Sequence, residues 1–512
     1  MQREQAILLH PADDVVIAKE TLAAQAEVQV AGIQLQLLQE IRAGHKIARH
    51  RVLAGAPLRR YGQIIGYATA DIQAGEHVHV HNLEVGHSER SYEPGAEARP
   101  VAFYPPAEQR HFAGFARPDG RVGTRNYVAI VSTVNCSASV SQFARERLGD
   151  VTRDFPNVDG VIALTHASGC GQVADGEDHR MLERVLAGYA RHPNVAAYVV
   201  VGLGCEVNQG PALIERHKLS LSNLGAHAAP PLITIQQAGG VRKAVEATAA
   251  AVAKLLPQAN AARRTQQPVS SLVVATNCGG SDSNSGITAN PALGWAIDEI
   301  VRHGGTGVLA ETTEIYGAEH LLVRRARNPA VAQKLLARIA WWKAHLAARG
   351  GEMNNNPAPG NKAGGLSTVL EKSLGGITKA GTTPLNEVFE YAERISAKGF
   401  VYMDTPGHDP VSITGLVAGG ANIVCFTTGR GSVLGSKPTP TIKLASNTPL
   451  YLRMQDDMDI DCGVILDGAS IAEVGQQIFE EIVAVASGSK TKSELSGVGE
   501  AEFAPWMMGP VL

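Results

Sequence analysis

The sequence predicts an α/β protein: a small all-β module in front, a proline-rich connection, and two larger α/β parts behind it. Beyond Gly114, short and nearly continuous apolar runs alternate with helix-length stretches, the rhythm of parallel sheet covered on both faces. Before Ser88 the runs are shorter, partly alternating and separated by glycine turns, with no helix-length period. The chain has 512 residues, 44% hydrophobic and 19% charged, with no long polar tract. At roughly 100–200 residues per domain this leaves room for three or four folded domains and excludes a disordered chain.

Each element follows from its residues. In the first module Asp14-Val15-Val16-Ile17-Ala18, Glu27-Val28-Gln29-Val30 and Gln63-Ile64-Ile65-Gly66-Tyr67-Ala68 read as strands. Ser88 to Arg110 carries Pro94, Pro100, Pro105 and Pro106 without an apolar period and reads as a linker. Buried strands are expected at 127–131, 161–164, 198–201 and 272–275, with helices at 330–348 and 471–485. The polar stretch Gln258 to Pro268 divides the two α/β parts, and residues 353–366 read as a long functional loop without a core.

Charge and composition narrow the function. The 46 Lys+Arg against 49 Asp+Glu give a net charge of -3, with no footprint for nucleic acid or an anionic membrane, so the expected partners are small molecules or other subunits. Met1-Gln2-Arg3-Glu4-Gln5 does not begin a signal peptide and no run reaches about 18 apolar residues, so a cytoplasmic protein is expected. Six cysteines are too few for a disulfide scaffold; in a reducing compartment, thiols in loops point to metal or catalysis.

Four of those cysteines, Cys136, Cys170, Cys205 and Cys278, fall at or just past the ends of expected strands. Ligand crevices of open α/β sheets lie outside the carboxyl ends of strands, so the four thiols are candidates to converge on iron or zinc; buried core positions are the alternative. Cys425 reads as core, and Cys462 carries no signal. The turn Thr427-Thr428-Gly429-Arg430-Gly431-Ser432 offers backbone N–H groups and a guanidinium to a carboxylate or phosphate. It is not a nucleotide signature, since Lys437 follows Ser436, and Gly202-Leu203-Gly204 lacks the third glycine of a dinucleotide fingerprint. Asp282, Glu311 and Glu314 are candidate oxygen ligands, or acids serving a helix dipole. His77, His79 and His81 share one strand face, which suits a metal or, preferably, a polar sheet surface. His45 and His166 stand alone and read as structural.

Longer motifs then carry a resemblance. Gly44-His45-Lys46, Tyr61-Gly62-Gln63-Ile64-Ile65-Gly66 and Gly75-Glu76-His77-Val78-His79 stand in the first module. Arg117-Pro118-Asp119-Gly120-Arg121, Gly202-Leu203-Gly204-Cys205-Glu206, Cys278-Gly279-Gly280-Ser281-Asp282, Asn356-Pro357-Ala358-Pro359-Gly360-Asn361-Lys362, Glu371-Lys372 and Thr427 to Gly431 follow in order. Together they resemble the altronate dehydratase and galactarate dehydratase family of sugar-acid hydro-lyases, closest to altronate dehydratases, over essentially the whole chain. The resemblance implies an amino-terminal SAF domain of β-clip fold (1–88), a linker (89–112), an α/β dimerisation domain (113–262) and a Rossmann-like catalytic domain (263–512). It also implies an iron requirement and a homodimer.

The implied reaction suits the residue inventory. Dehydrating a 2,3-dihydroxy acid requires taking the proton beside the carboxylate, stabilising the enediolate with a cation and expelling the 3-hydroxyl. Lys362 or Arg430 would hold the carboxylate, His45 or His166 would move protons, and Lys46 would add a cationic contact. Two iron arrangements remain open: an iron–sulfur cluster on three or four of Cys136, Cys170, Cys205 and Cys278, or one ferrous ion on Asp282, Glu314 and His166. D-Altronate, giving 2-keto-3-deoxy-D-gluconate, is the expected substrate, with galactarate or another aldarate or aldonate as alternative. A sugar-acid binding protein and a nicotinamide oxidoreductase are the readings from other classes.

Overall fold

The computed structural model describes residues 4–86 and 90–508. Residues 4–86 form small antiparallel sheets. Ala6–Ile7, Val15–Ala18, Lys46–Ala48 and His77–Val78 make one, and Pro57–Arg60, Gln63–Ala68 and Leu83–Glu84 make another. Glu27–Val30 pairs with Ile33–Gln36, and its alternation places Val28 and Val30 in a small core with Leu22, Leu35 and Leu37. Strands this short need further packing. Leu58, Ile65, Val78 and Leu83 provide it by joining the core of the carboxyl-terminal part.

The module boundary at 88/89 lies outside the described residues. From Arg90 the expected linker is a strap held by polar side chains. Tyr92 donates to Glu319 at 2.7 Å, and Tyr104 stacks on His303 while donating to Glu299 at 2.8 Å. The polar stretch at 258–268 has regular structure of its own. The helix Val241–Ala261 runs into it, and Arg264–Pro268 is a strand pairing antiparallel with His111–Ala116. A half-exposed strand carries no apolar signal, so the sequence shows only a polar stretch here.

Two parallel sheets position the chemistry. The first runs Gly160–Leu164, Tyr127–Ser132, Val195–Gly202, Leu232–Thr234, and every residue of Val195–Gly202 is buried. The second has seven parallel strands in the order 385–389, 399–403, 306–309, 273–278, 423–428, 441–445, 460–461. Strand order reverses beside Tyr127–Ser132 in the first sheet and beside Val273–Cys278 in the second. Each reversal opens a crevice at the carboxyl ends of the strands. Helices Pro329–Ala347 and Ile471–Ala486 cover the large sheet. The coreless loop at 353–366 contains two short helical turns, Met353–Asn355 and Pro359–Ala363, closed by the side chains of Asn355 and Asn361, so no apolar period was needed to hold them.

Candidate active site

The switch point of the seven-stranded sheet carries a buried group of donors. Cys278 ends the central strand, and Glu311 and Glu314 follow the neighbouring strand Thr306–Leu309. One ligand atom from each lies within 4.8 Å of the others, the only such trio of His, Cys, Asp or Glu among the described residues. Lys372 donates to Glu314 at 2.6 Å and to Asn356 at 2.8 Å, while Asn356 donates to Glu314 at 3.0 Å. Lys379 lies 3.6 Å from Glu311. Asp409 abuts Gly279 so closely that a Cβ there would strike its carboxylate.

Burial and charge set the protonation of this group. Burial, reinforced by the charge of Glu314, pushes Glu311 well above the usual carboxylate range. Glu314 is buried as well, but Lys372 and Lys379 hold it below that range. Burial raises the Cys278 thiol, and burial with the charge of Glu314 raises Asp409 to about 7. Glu311 Oε1 is buried without a hydrogen-bond partner among the described residues. An unsatisfied buried oxygen beside a thiol and a second carboxylate fits a divalent metal ion.

One segment links this group to the amino-terminal module. Asn356 touches Glu314, Asn361 donates to Ser281 O at 2.8 Å, and Ser281 Oγ lies 2.8 Å from Cys278 Sγ. Further along, Ala363 O lies 3.3 Å from His45 Nε2, Gly365 O accepts from Lys46 at 2.7 Å, and Ser367 Oγ lies 3.1 Å from His79 Nδ1. His45 is not alone. Its Nδ1 lies 2.9 Å from His77 Nε2, and its ring lies 5.0 and 5.1 Å from those of His77 and His79. His81 joins at 5.4 Å from His77. His79 meets the large domain through Ser367, whereas His81 is exposed; the strand ends at Val78, so His79 and His81 stand on the turn that follows it and the expected shared strand face is not formed. Burial and mutual repulsion lower His77 to about 3, and burial with the nearby Lys46 lowers His79 to about 4, so both are neutral at physiological pH.

Several expected residues take different roles. Lys46 is fully buried and bonds Glu371 at 3.0 Å, while Arg60 bonds the same carboxylate at 2.5 Å, so Lys46 docks the module and has its hydrogens engaged. His166 belongs to the four-stranded sheet. Its Nε2 meets Ser132 O at 3.0 Å and its Nδ1 accepts from Ser168 N at 3.2 Å, leaving neither nitrogen for a proton or a metal, and burial lowers it to about 4. Asp282 is a staple: it accepts from Ser285 and Ser446 on Oδ1 and from Asn447 on Oδ2. The trio Asp282, Glu314 and His166 is therefore not assembled. The four thiols divide as well, Cys278 at one sheet and Cys136, Cys170 and Cys205 at the other. Lys362 is half-buried on the turn Pro359–Ala363 and Arg430 is exposed. Their loops flank Asp282, since a Cβ on Gly364 or Gly429 would strike it. Two open grooves of about 770 and 690 Å³ contain none of these residues in their walls.

Sequence reasoning gave no role to Lys372, Lys379, Asn356, Asp409, Arg60 or Glu371. One signal was available. The helix Val369–Gly376 is buried throughout, and it carries the adjacent charges Glu371 and Lys372 among mostly apolar and small residues; such charges are tolerated only when each is paired.

Comparison with known proteins decides the family. Models for the altronate/galactarate dehydratase SAF domain, the D-galactarate dehydratase/altronate hydrolase second domain and the D-galactarate/altronate dehydratase carboxyl-terminal domain match residues 4–86, 114–260 and 269–511. The chain belongs to the galactarate/altronate dehydratase family. It is 35% identical to altronate dehydratase of Bacillus subtilis over 95% of this chain and 96% of that protein. It is also 35% identical to altronate dehydratase of Escherichia coli, over 96% and 97%. A third relative, galactarate dehydratase (L-threo-forming) of E. coli, is 35% identical over 94% and 93%. Within this family the carboxyl-terminal model spans Cys278, Glu311, Glu314, Lys372 and Asp409, while the SAF model spans the four histidines.

Proposed function

We propose that this protein is a hydro-lyase that removes water from a sugar acid, D-altronate in the first place, giving 2-keto-3-deoxy-D-gluconate. One observation carries the reading: a buried thiol and carboxylate group with two lysines, at a sheet switch point, is joined by a single segment to an imidazole cluster from the SAF domain. The whole-length likeness to altronate dehydratases supports it.

Cys278, Glu311 and Glu314 would hold ferrous iron, which supplies Lewis acidity to a substrate oxygen when bound. Lys362 and Arg430 would hold the substrate carboxylate from the loops flanking Asp282. A neutral imidazole of the SAF cluster, His77 or His79, takes the proton beside that carboxylate, and His45 relays through its bond to His77 Nε2. Asp409, with its affinity for a proton near neutrality, is the donor to the departing 3-hydroxyl. Lys372 and Lys379 keep positive charge beside the developing enediolate. The enol product then tautomerises to the keto acid.

Galactarate is the second reading, because galactarate dehydratase is equally similar at 35% identity. A homodimer built on residues 113–262 and a cytoplasmic location complete the proposal; among the described residues no helix is long and apolar enough to cross a membrane. The test is an anaerobic panel of aldonates and aldarates with ferrous iron, scored for 2-keto-3-deoxy acid. Product from altronate above all others supports the reading, and no product from any sugar acid rejects it.

A further inference from the structure

The three cysteines outside the site just described share one place. Cys136, Cys170 and Cys205 follow three adjacent parallel strands, Tyr127–Ser132, Gly160–Leu164 and Val195–Gly202. All three lie at the carboxyl edge where strand order reverses, the position at which open sheets bind ligands. Their loops interlock backbone to backbone. Asn135 N donates to Ser168 O at 2.9 Å, Asn208 N donates to Gly169 O at 3.0 Å, and Asn208 Nδ2 donates to Thr133 O at 2.8 Å. Gly169 adopts φ 98°, and a Cβ there would strike Thr133 and Val134, so this approach requires glycine beside Cys170.

Packing does not account for these thiols. Free cysteine is ordinarily a buried residue, as Cys278, Cys425 and Cys462 are, yet Cys136, Cys170 and Cys205 are all exposed. Two acceptors in the same loops lack a partner among the described residues: Asn208 Oδ1, fully buried between the three loops, and Gln172 Oε1, two residues past Cys170. Spacing narrows the ligand. Three thiolates on one tetrahedral ion, each bound at about 2.3 Å, would bring their sulfurs to roughly 3.8 Å. Cys136, Cys170 and Cys205 do not form such a compact trio: among the described residues the donors that all lie within 4.8 Å of one another are those of Cys278, Glu311 and Glu314. A cluster that places each thiolate on a different iron takes a wider triangle.

We infer that Cys136, Cys170 and Cys205 hold an iron–sulfur cluster whose remaining iron has no protein thiolate and faces solvent. This site is separate from the donors at Cys278, and the inference does not depend on the reaction proposed above.

The full-length protein is reconstituted anaerobically with ferrous iron, sulfide and thiol, desalted, and assayed for iron, acid-labile sulfide and the visible and electron paramagnetic resonance signals of a cluster, without sugar acid present. The expected result is about four sulfides per chain, reduced at least tenfold in C136S, C170S and C205S and in the triple variant. E311Q and E314Q should keep the sulfide and lose only the iron of the other site. Far-ultraviolet circular dichroism confirms that each variant is folded. Absence of sulfide from the wild type, zinc in place of iron, or full sulfide in a folded triple variant would overturn the inference. A protein with the cluster but no dehydratase activity would reject the proposed reaction and leave this site standing.

Discussion

Removing the carboxylate of Glu371 should release the SAF domain. Glu371 accepts from Lys46 at 3.0 Å on each oxygen, from Arg60 at 2.5 Å and from the Ser367 amide at 2.8 Å. The three charged side chains are fully buried. Breaking a buried pair by deleting one partner costs about 3–5 kcal/mol, because it leaves uncompensated charge. In Glu371→Ala two cations are stranded, and they respond differently. Burial already holds Lys46 down to about 8 with Glu371 present, so without it Lys46 discharges at neutral pH. Arg60 cannot discharge, but it keeps Ser283 Oγ and O, each at 2.8 Å. The cost therefore falls near the lower end, about 3 kcal/mol, or roughly 150-fold in the ratio of docked to undocked module. Hydrogen–deuterium exchange over residues 4–86 should accelerate by that factor at the Lys46–Ala48 and His77–Val78 strands, and keto-acid formation should fall with it. Wild-type exchange in Glu371→Ala would refute the docking argument.

Further outcomes follow from the same geometry. Asn356→Ala removes the amide that donates to Glu314 at 3.0 Å and should weaken ferrous binding roughly 10–100-fold in a chelator-competition titration. Arg430→Ala should remove a charge-assisted bond of about 1.5–3 kcal/mol and lower substrate affinity or rate roughly 10–150-fold; unchanged kinetics would make Arg430 structural. Acid should destabilise the fold through His77 and His79. Their native values of about 3 and about 4 lie below the ordinary 6.5, so as pH falls below 6.5 the unfolded chain binds protons first. Urea midpoints should therefore decline from pH 6.5 toward pH 4, and less so in a His77→Gln, His79→Gln double variant.

Much of the fold was legible because its strands are buried on both faces. Val195–Gly202 is fully buried and reads as an unbroken apolar run, and Ser470 with Glu473 caps the helix that begins at Ile471. Arg264–Pro268 escaped because an exposed polar strand has no pattern, and 353–366 escaped because asparagine caps, not apolar spacing, hold its turns. Within the site, the strand-end rule put each of the four thiols at a crevice, yet local sequence does not say that they belong to two sheets. Cys278, Glu311 and Glu314 were each singled out, but their meeting depends on the pairing of Val273–Cys278 with Thr306–Leu309. Pairings across the chain were the least legible: Lys46 reaches Glu371 across 325 residues, and His45 reaches His77 across 32.

The most direct test of the central claim is product formation by anaerobic, ferrous-loaded protein supplied with altronate in deuterated water. Dehydration assigned to the Cys278, Glu311 and Glu314 site predicts a keto acid one water lighter than altronate, with deuterium delivered to C3 during tautomerisation, and its loss in Glu314→Gln. Unchanged altronate from wild-type protein with iron bound, or full turnover in an iron-free Glu314→Gln variant, would contradict it.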